Sequence, residues 1–228
     1  MHSTKNNLQV LFEDNHLLII NKRPGDITQG DKTGDKPLSE VVKEYIKDKY
    51  NKPGNVYLGV VHRLDRPTSG VVIFAKTSKA LERLNKMLRE KKINKTYWAV
   101  VKSQPKKELD TLINWLRKNP KNNKSTAYNK ETEGTKHAIL HYKIIKRLHS
   151  YFLLEIDLET GRHHQIRCQL SNIGSPIKGD LKYGFNLSNK DGSIHLHARK
   201  IAFTHPVSKE EISLTAPTPK EAIWDTCK

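Results

Sequence analysis

Residues 151–158 read Tyr-Phe-Leu-Leu-Glu-Ile-Asp-Leu, with Phe152, Leu154, Ile156 and Leu158 alternating with Leu153, Glu155 and Asp157. A period of two sends successive side chains to opposite faces, so this segment is a strand with one apolar face and needs a sheet to lie in. Ala138–Ile145 is a suitable antiparallel partner, reached through Lys146–Ser150. Leu17–Asn21, Val71–Lys76, Thr96–Val101, Arg199–Phe203 and Glu211–Thr215 also read as strands, being short apolar runs rich in β-formers. Helical spacing is confined to three places. Leu38, Val41, Val42, Tyr45 and Ile46 follow Pro37, which suits a first turn. Leu81, Leu84 and Leu88 follow Ser78, a capping residue. Arg162–Ile173 carries the stripe Ile166, Leu170 and Ile173, with Gly174 at its end.

Strands outnumber helices and do not alternate with them regularly, which predicts an α+β fold with a long, largely antiparallel sheet. The chain has 228 residues, enough for one substantial core or two small lobes, and is read as a single domain, 1–228. Lys22–Lys36, with Pro24, Gly25, Gly30 and Gly34, reads as a loop. Residues 102–136 are polar, rich in Lys and Asn, and contain Pro105 and Pro120. They read as a flexible insert with a short buried turn at Leu112, Ile113, Trp115 and Leu116.

Formal net charge is +17, from 41 Lys and Arg against 24 Asp and Glu. A surplus of that size suits a polyanionic partner, because Lys and Arg neutralise phosphates and release counterions. No apolar run of about 18 residues exists, so no membrane span is expected. Met1–Gln9 is polar and lacks the apolar core of a signal peptide. Cys168 and Cys227 have no motif spacing, which suggests free thiols and a cytoplasmic location.

Chemistry concentrates in His62-Arg63-Leu64-Asp65-Arg66-Pro67-Thr68-Ser69-Gly70. This turn sets an acid between two arginines, just before a strong strand. Nearby cations favour the charged form of a carboxylate, which suits Asp65 to nucleophilic work. The alternative is an Asp that only accepts backbone hydrogen bonds in its turn. A second cluster is Thr160-Gly161-Arg162-His163-His164-Gln165-Ile166-Arg167. Here Arg162, His163 and His164 fall in the first turn of a helix, where cations oppose the helix dipole; either a nearby anion or a solvated first turn explains them. Arg167 lies one turn beyond His163 and is able to face the same way. Tyr97 reads as strand packing, and Trp98 points to the opposite face and into the core. His163, His164, His195 and His197 were weighed as a metal set. Adjacent histidines diverge on a helix, and neither an HExxH pattern nor a carboxylate partner accompanies them, so no metal is assigned. Gly30–Gly34 lacks the Lys-Ser/Thr pair of a phosphate loop, and no cofactor is implied.

His62–Gly70 with its following strand resembles the active-site motif of the RluA-like family of RNA pseudouridine synthases. Thr160–Arg167, Gly174–Asp180 and Tyr183-Gly184 resemble that family's late motif, Lys95-Thr96-Tyr97 its middle motif, Glu13–Lys22 its opening strand, and Leu196-His197-Ala198 with Thr204-His205-Pro206 its closing segment. The resemblance spans roughly residues 10–217, in one consistent order. It implies a long mixed sheet bent into two halves, flanked by helices and loops, with the catalytic cleft across it. It implies isomerisation of uridine to pseudouridine in structured RNA, first ribosomal large-subunit RNA and second transfer RNA, without a cofactor and by a monomer. It also implies roles: Asp65 as nucleophile, Arg167 as its ion-pair partner, Tyr97 against the target base, and Arg63 in the gap left by the flipped uridine. His62, Arg66, Arg162 and His163 are further RNA-binding candidates. The chain departs from the family at Lys22-Arg23-Pro24-Gly25, where the family shows Lys-Pro-x-Gly, so no role is carried to Lys22. No S4-like RNA-binding domain is expected ahead of the catalytic region. Rival readings are a non-catalytic RNA-binding or ribosome-assembly factor with the same fold, and a metal-dependent hydrolase.

Overall fold

The computed structural model describes residues 2–30 and 34–227; residues 31–33 of the loop read over Lys22–Lys36 lie outside the described residues. Along the chain run β1 (Val10–Glu13), β2 (Leu17–Lys22), α1 (Leu38–Lys49), β3 (Gly59–Val60), β4 (Ser69–Ala75), α2 (Ser78–Arg89) and β5 (Asn94–Val101). There follow β6 (Leu109–Asn119), β7 (Lys124–Tyr128), β8 (Lys136–Arg147), β9 (Phe152–Leu158), α3 (Gln165–Asn172), a 3₁₀ turn (Leu181–Tyr183), β10 (Leu196–Thr204), β11 (Glu211–Thr215) and α4 (Ala222–Thr226). This is the α+β class the strand-rich pattern predicts. The chain folds as two compact units. The first comprises the residues up to Asn94 with Ala198–Pro219; the second comprises Lys95–His197 with the segment from Lys220 onward.

In the first unit β1, β2, β4 and β10 are successive neighbours, with β11 beside β10 and β3 beside β4. Strands β2 and β4 pair antiparallel from Leu17 opposite Ala75 to Lys22 opposite Gly70, and every residue of both is buried. Their near-continuous apolar sequences follow from being covered on both faces. Leu18, Ile20, Val72 and Phe74 pack on Leu38, Val41, Val42 and Ile46 of α1. Leu17, Ile19, Val71 and Ile73 pack on Ala80 and Leu84 of α2 and on Ile201, Phe203 and Ile212 of β10 and β11. Helix α2 is capped by Thr77, whose side chain accepts the Ala80 amide, rather than by Ser78, which is already helical.

Gly70 fixes how β4 meets β10. Its φ is +116°, and a Cβ there would lie 2.3 Å from the Ala198 carbonyl oxygen. Only glycine tolerates both that dihedral and that approach.

The second unit orders its strands β5-β9-β8-β6-β7, each adjacent pair antiparallel. The alternation of β9 holds on one face, where Leu154 and Ile156 are fully buried. Leu153 is buried on the other face as well, with Val100, Trp224 and Cys227. Trp98 packs against that second cluster, as its strand position predicts. Residues 102–136 are not a stretch without regular structure: they contain β6 and β7. Along β6 the buried residues are Leu112, Asn114 and Leu116, while Ile113 is 52% exposed. The pattern is strand-like, but an inward Asn and outward Ile113 and Trp115 disguise it.

Helix α3 begins at Gln165, not at Arg162. His164 stands at its N-cap with φ 52°, in the left-handed region, and breaks the helix there. Arg162 and His163 therefore sit in the preceding loop, and the opposition to the helix dipole expected of them does not arise.

Gly70→Ala is expected to cost at least about 3 kcal/mol of stability, through a wrong dihedral and a backbone clash together. A urea unfolding series that shows Gly70→Ala within 1 kcal/mol of wild type, a threshold set by ordinary surface substitutions, would contradict the close approach.

Candidate active site

Val61 to Thr68 lead into β4, and Asp65 sits half-buried in a turn closed by the Thr68 amide on the Asp65 carbonyl at 3.0 Å. Neighbouring chain anchors this turn on both sides of Asp65. Before it, the Leu64 amide reaches Thr28 Oγ1 at 3.3 Å. After it, the Arg66 carbonyl accepts the Gly25 amide at 2.8 Å, while Arg66 Nε donates to the Gly25 carbonyl at 3.2 Å. The Arg66 guanidinium also reaches Asp35. His62 accepts the Ile73 amide on Nε2 at 3.3 Å and so ties the approach to β4. Arg63 is exposed.

Lys22, left without a role by the sequence, lies at the centre of this arrangement. It is 1% exposed, and its Nζ donates to the carbonyls of Arg23 at 2.9 Å, Asp26 at 2.7 Å and Arg66 at 3.2 Å. Three acceptors match the three N–H bonds of an ammonium. Burial drives its pKa down to about 7, opposed by the charges of Asp26 and then of Asp65. Lys22 is thus a buried cation that feels the Asp65 carboxylate and holds its turn. The one signal in the sequence was a charged residue closing an unbroken apolar strand.

In the second unit, strand register places Tyr97 on a definite face. Tyr97 pairs with Ile156, Ile156 with Tyr142, and Tyr142 with Asp110. Directly opposed residues share a face, and so do residues two apart along a strand. Tyr97 therefore lies on the same side as Leu112, Asn114 and Ala138, the side on which α3 packs. There Gln169 Nε2 donates to the Leu112 carbonyl at 3.0 Å and to Asn114 Oδ1 at 2.9 Å, and Cys168 joins Leu116 and Ala138.

Arg167, on α3, is 5% exposed. Its Nε and Nη2 donate to the two carboxylate oxygens of Asp180 at 2.7 and 2.9 Å, and its guanidinium lies 5.0 Å from the centre of the Tyr183 ring. Asp180 and Tyr183 belong to the late motif, and the sequence by itself assigns them no role. The Tyr183 hydroxyl accepts the Ser125 amide at 2.7 Å and lies 2.9 Å from His164 Nδ1; burial pushes its pKa up to about 12. Of the RNA-binding candidates here, His163 lies 2.9 Å from Ser125 Oγ and stacks on His164, while Arg162 donates to the His137 carbonyl at 2.8 Å. Gln165 fixes their loop by accepting from Thr160 Oγ1 and the Arg162 amide and donating to the Ile139 carbonyl.

The histidines weighed as metal ligands have other partners: His195 Nε2 meets Glu221 at 2.6 Å and its Nδ1 meets Asn189. Among the described residues no group of three or more His, Cys, Asp or Glu is arranged to hold a metal ion, and no helix is long and apolar enough to cross a membrane. A groove of about 720 Å³ in the first unit, edged by Arg83, Lys86, Lys92 and Lys209, is lined by Thr204, His205 and Pro206 of the closing segment but by none of the candidate catalytic or RNA-binding residues.

Residues 16–172 match the model of a family described as RNA pseudouridylate synthase. Over 220 residues the chain is 33% identical to an uncharacterized RNA pseudouridine synthase of Synechocystis sp., covering 93% of this chain and 66% of that protein. Over 218 residues it is 36% identical to ribosomal large subunit pseudouridine synthase C of Buchnera aphidicola subsp. Baizongia pistaciae, covering 92% and 67%. The chain thus spans about two thirds of the length of the curated relatives it matches. Its fold is that of human RNA pseudouridylate synthase domain containing 4, with a TM-score of 0.79 at 22% identity over 96% of this chain and 92% of that one.

The Lys22 pKa generates a pH signature. A buried lysine with a folded pKa near 7, against about 10.5 when unfolded, is protonated more in the unfolded chain between those values. Stability attributable to it therefore rises with pH across that window, by up to about 1.4 kcal/mol per pH unit. Wild type is expected to gain on Lys22→Met from pH 7 towards 10. Parallel stability curves for the two proteins would contradict the burial of this charge.

Proposed function

The chain belongs to the RNA pseudouridylate synthase family, and we propose that it isomerises uridine to pseudouridine in structured RNA, with large-subunit ribosomal RNA as substrate. The observation that carries the reading is the Asp65 turn, anchored on both sides and facing a buried Lys22. The choice of RNA is supported by relatives named ribosomal large subunit pseudouridine synthase C and D. The charge of +17 supports a polyanionic partner.

The reaction breaks the bond from N1 to C1′, turns the uracil and joins C5 to C1′. The proton leaves C5 and N1 gains one, so product and substrate are isomers and no external oxidant or energy source enters. Asp65 supplies the carboxylate. Attack at C1′, addition at C6 and proton abstraction towards a glycal each require it ionised and fixed in place. The C1′ route follows the logic of a retaining glycosidase. Lys22, while protonated, places a positive charge near this carboxylate.

Uridine within a folded RNA must leave the stack before its C1′ and C5 are accessible. Tyr97 is assigned to the flipped base, with its ring as a stacking surface. Arg167 is assigned to Asp65 as an ion-pair partner. Arg63, exposed beside Asp65, is assigned to the space vacated by the uridine, since a guanidinium is flat and cationic and stacks between bases.

Pseudouridine mapping by carbodiimide labelling and primer extension tests the reading. RNA is taken from cells lacking the gene and from cells restored with wild type or Asp65→Ala. Ribosomal sites are expected to vanish on deletion and to return with wild type alone, while Asp65→Ala still binds RNA. Restoration by Asp65→Ala would remove Asp65 from the mechanism. Unchanged ribosomal sites with altered transfer RNA sites would move the substrate. No altered site with RNA binding retained would favour a binding factor.

A further inference from the structure

Arg167 is held more tightly than burial of an arginine requires. Its Nε and Nη2 engage both oxygens of Asp180, which is 1% exposed. A paired contact of this kind fixes the plane of the guanidinium as well as its position. Tyr183 lies against the same guanidinium and is fixed in turn by the Ser125 amide and His164. Asp180 has little freedom of its own. Its amide donates to the Ile177 carbonyl, and its carbonyl accepts the amides of Tyr183 and Phe185. Gly179 before it has φ +87°, and a Cβ there would lie 2.8 Å from both Asn189 and the Ser193 carbonyl.

Stability does not account for this arrangement. A buried ion pair contributes little that a well-packed apolar pair would not, because desolvating two charges offsets their attraction. What it does provide is one orientation for a long side chain. The helix bearing Arg167 packs on the face that carries Tyr97.

We propose that Asp180 and Tyr183 are positioning residues for the isomerisation, setting the plane in which Arg167 serves the nucleophilic carboxylate. The proposal rests on the assignment of Arg167 made above. Asp180 fixes the guanidinium from its Nε–Nη2 edge, and the Tyr183 ring fixes it from one face. Neither residue acts on RNA itself, so their loss falls on turnover and not on RNA affinity.

The test is single-turnover isomerisation of large-subunit ribosomal RNA from cells lacking the gene, with RNA affinity and thermal unfolding measured on the same preparations. Asp180→Asn is expected to lower the turnover rate about 100-fold, the scale of a misplaced group, with RNA affinity within about threefold. Tyr183→Phe is expected to lower turnover about tenfold, the scale of one lost hydrogen bond, again at constant affinity. Arg167→Met/Asp180→Leu is expected to be no slower than Arg167→Met, because Asp180 has nothing left to position. A folded Asp180→Asn with near wild-type turnover, or losses that multiply fully in the double variant, would overturn the proposal. If Asp180→Asn does not fold, Tyr183→Phe decides it: unchanged turnover overturns, and a loss at constant affinity supports. Wild-type turnover by Arg167→Met would instead overturn the parent assignment of Arg167. A loss in Arg167→Met with none in Asp180→Asn would sink this inference alone.

Discussion

The Arg66 carbonyl accepts two donors, the Gly25 amide at 2.8 Å and the buried Lys22 ammonium at 3.2 Å. Through that one oxygen the end of β2, the loop after it and the turn bearing Asp65 are bound together. A lysine is seldom fully buried, because desolvating its charge is costly. Here three carbonyls and the charges of Asp26 and Asp65 offset only part of the cost, and burial still brings the pKa down to about 7. One of the contacts that satisfy the ammonium also ties down the turn that bears Asp65. The departure from the motif spacing at Pro24 thus leaves Lys22 bonded to the turn that bears Asp65.

Each unit carries its candidate site residues on closely packed elements. In the first, β2 and β4 are buried on both faces, and the turn precedes β4 directly. In the second, register sets Tyr97 and helix α3 on one face of the sheet, while Trp98 and Trp224 pack on the other. Side chains on such elements need little reordering when a substrate arrives, which is where preorganised sites gain their advantage.

Much of this was legible in the sequence for identifiable reasons. Unbroken apolar runs announced β2 and β4, and alternation announced β9. Asp65 was conspicuous because an acid between two arginines in a Pro- and Gly-rich turn is an unusual grouping. Legibility failed where a side chain's environment reverses its ordinary preference. Asn114 faces inward because Gln169 satisfies it, so β6 lost its alternating signature and was read with its surroundings as a flexible insert. His164 adopts a left-handed backbone, so α3 starts three residues later than its composition suggests. Lys22 reads as a surface residue until the three carbonyls around it are seen. Asp180 and Tyr183 were visible as motif letters, but only their distances to Arg167 give them a task.

If the Asp65 carboxylate drives isomerisation, Asp65→Asn abolishes it, because the substitution keeps the shape and removes the charge. Pseudouridine formation must expel the hydrogen on C5, so RNA tritiated at uridine C5 reports the reaction as tritium released to water. Purified wild-type protein is predicted to release tritium in step with pseudouridine formed, and Asp65→Asn to release none above background. Release by Asp65→Asn at the wild-type rate would contradict the claim.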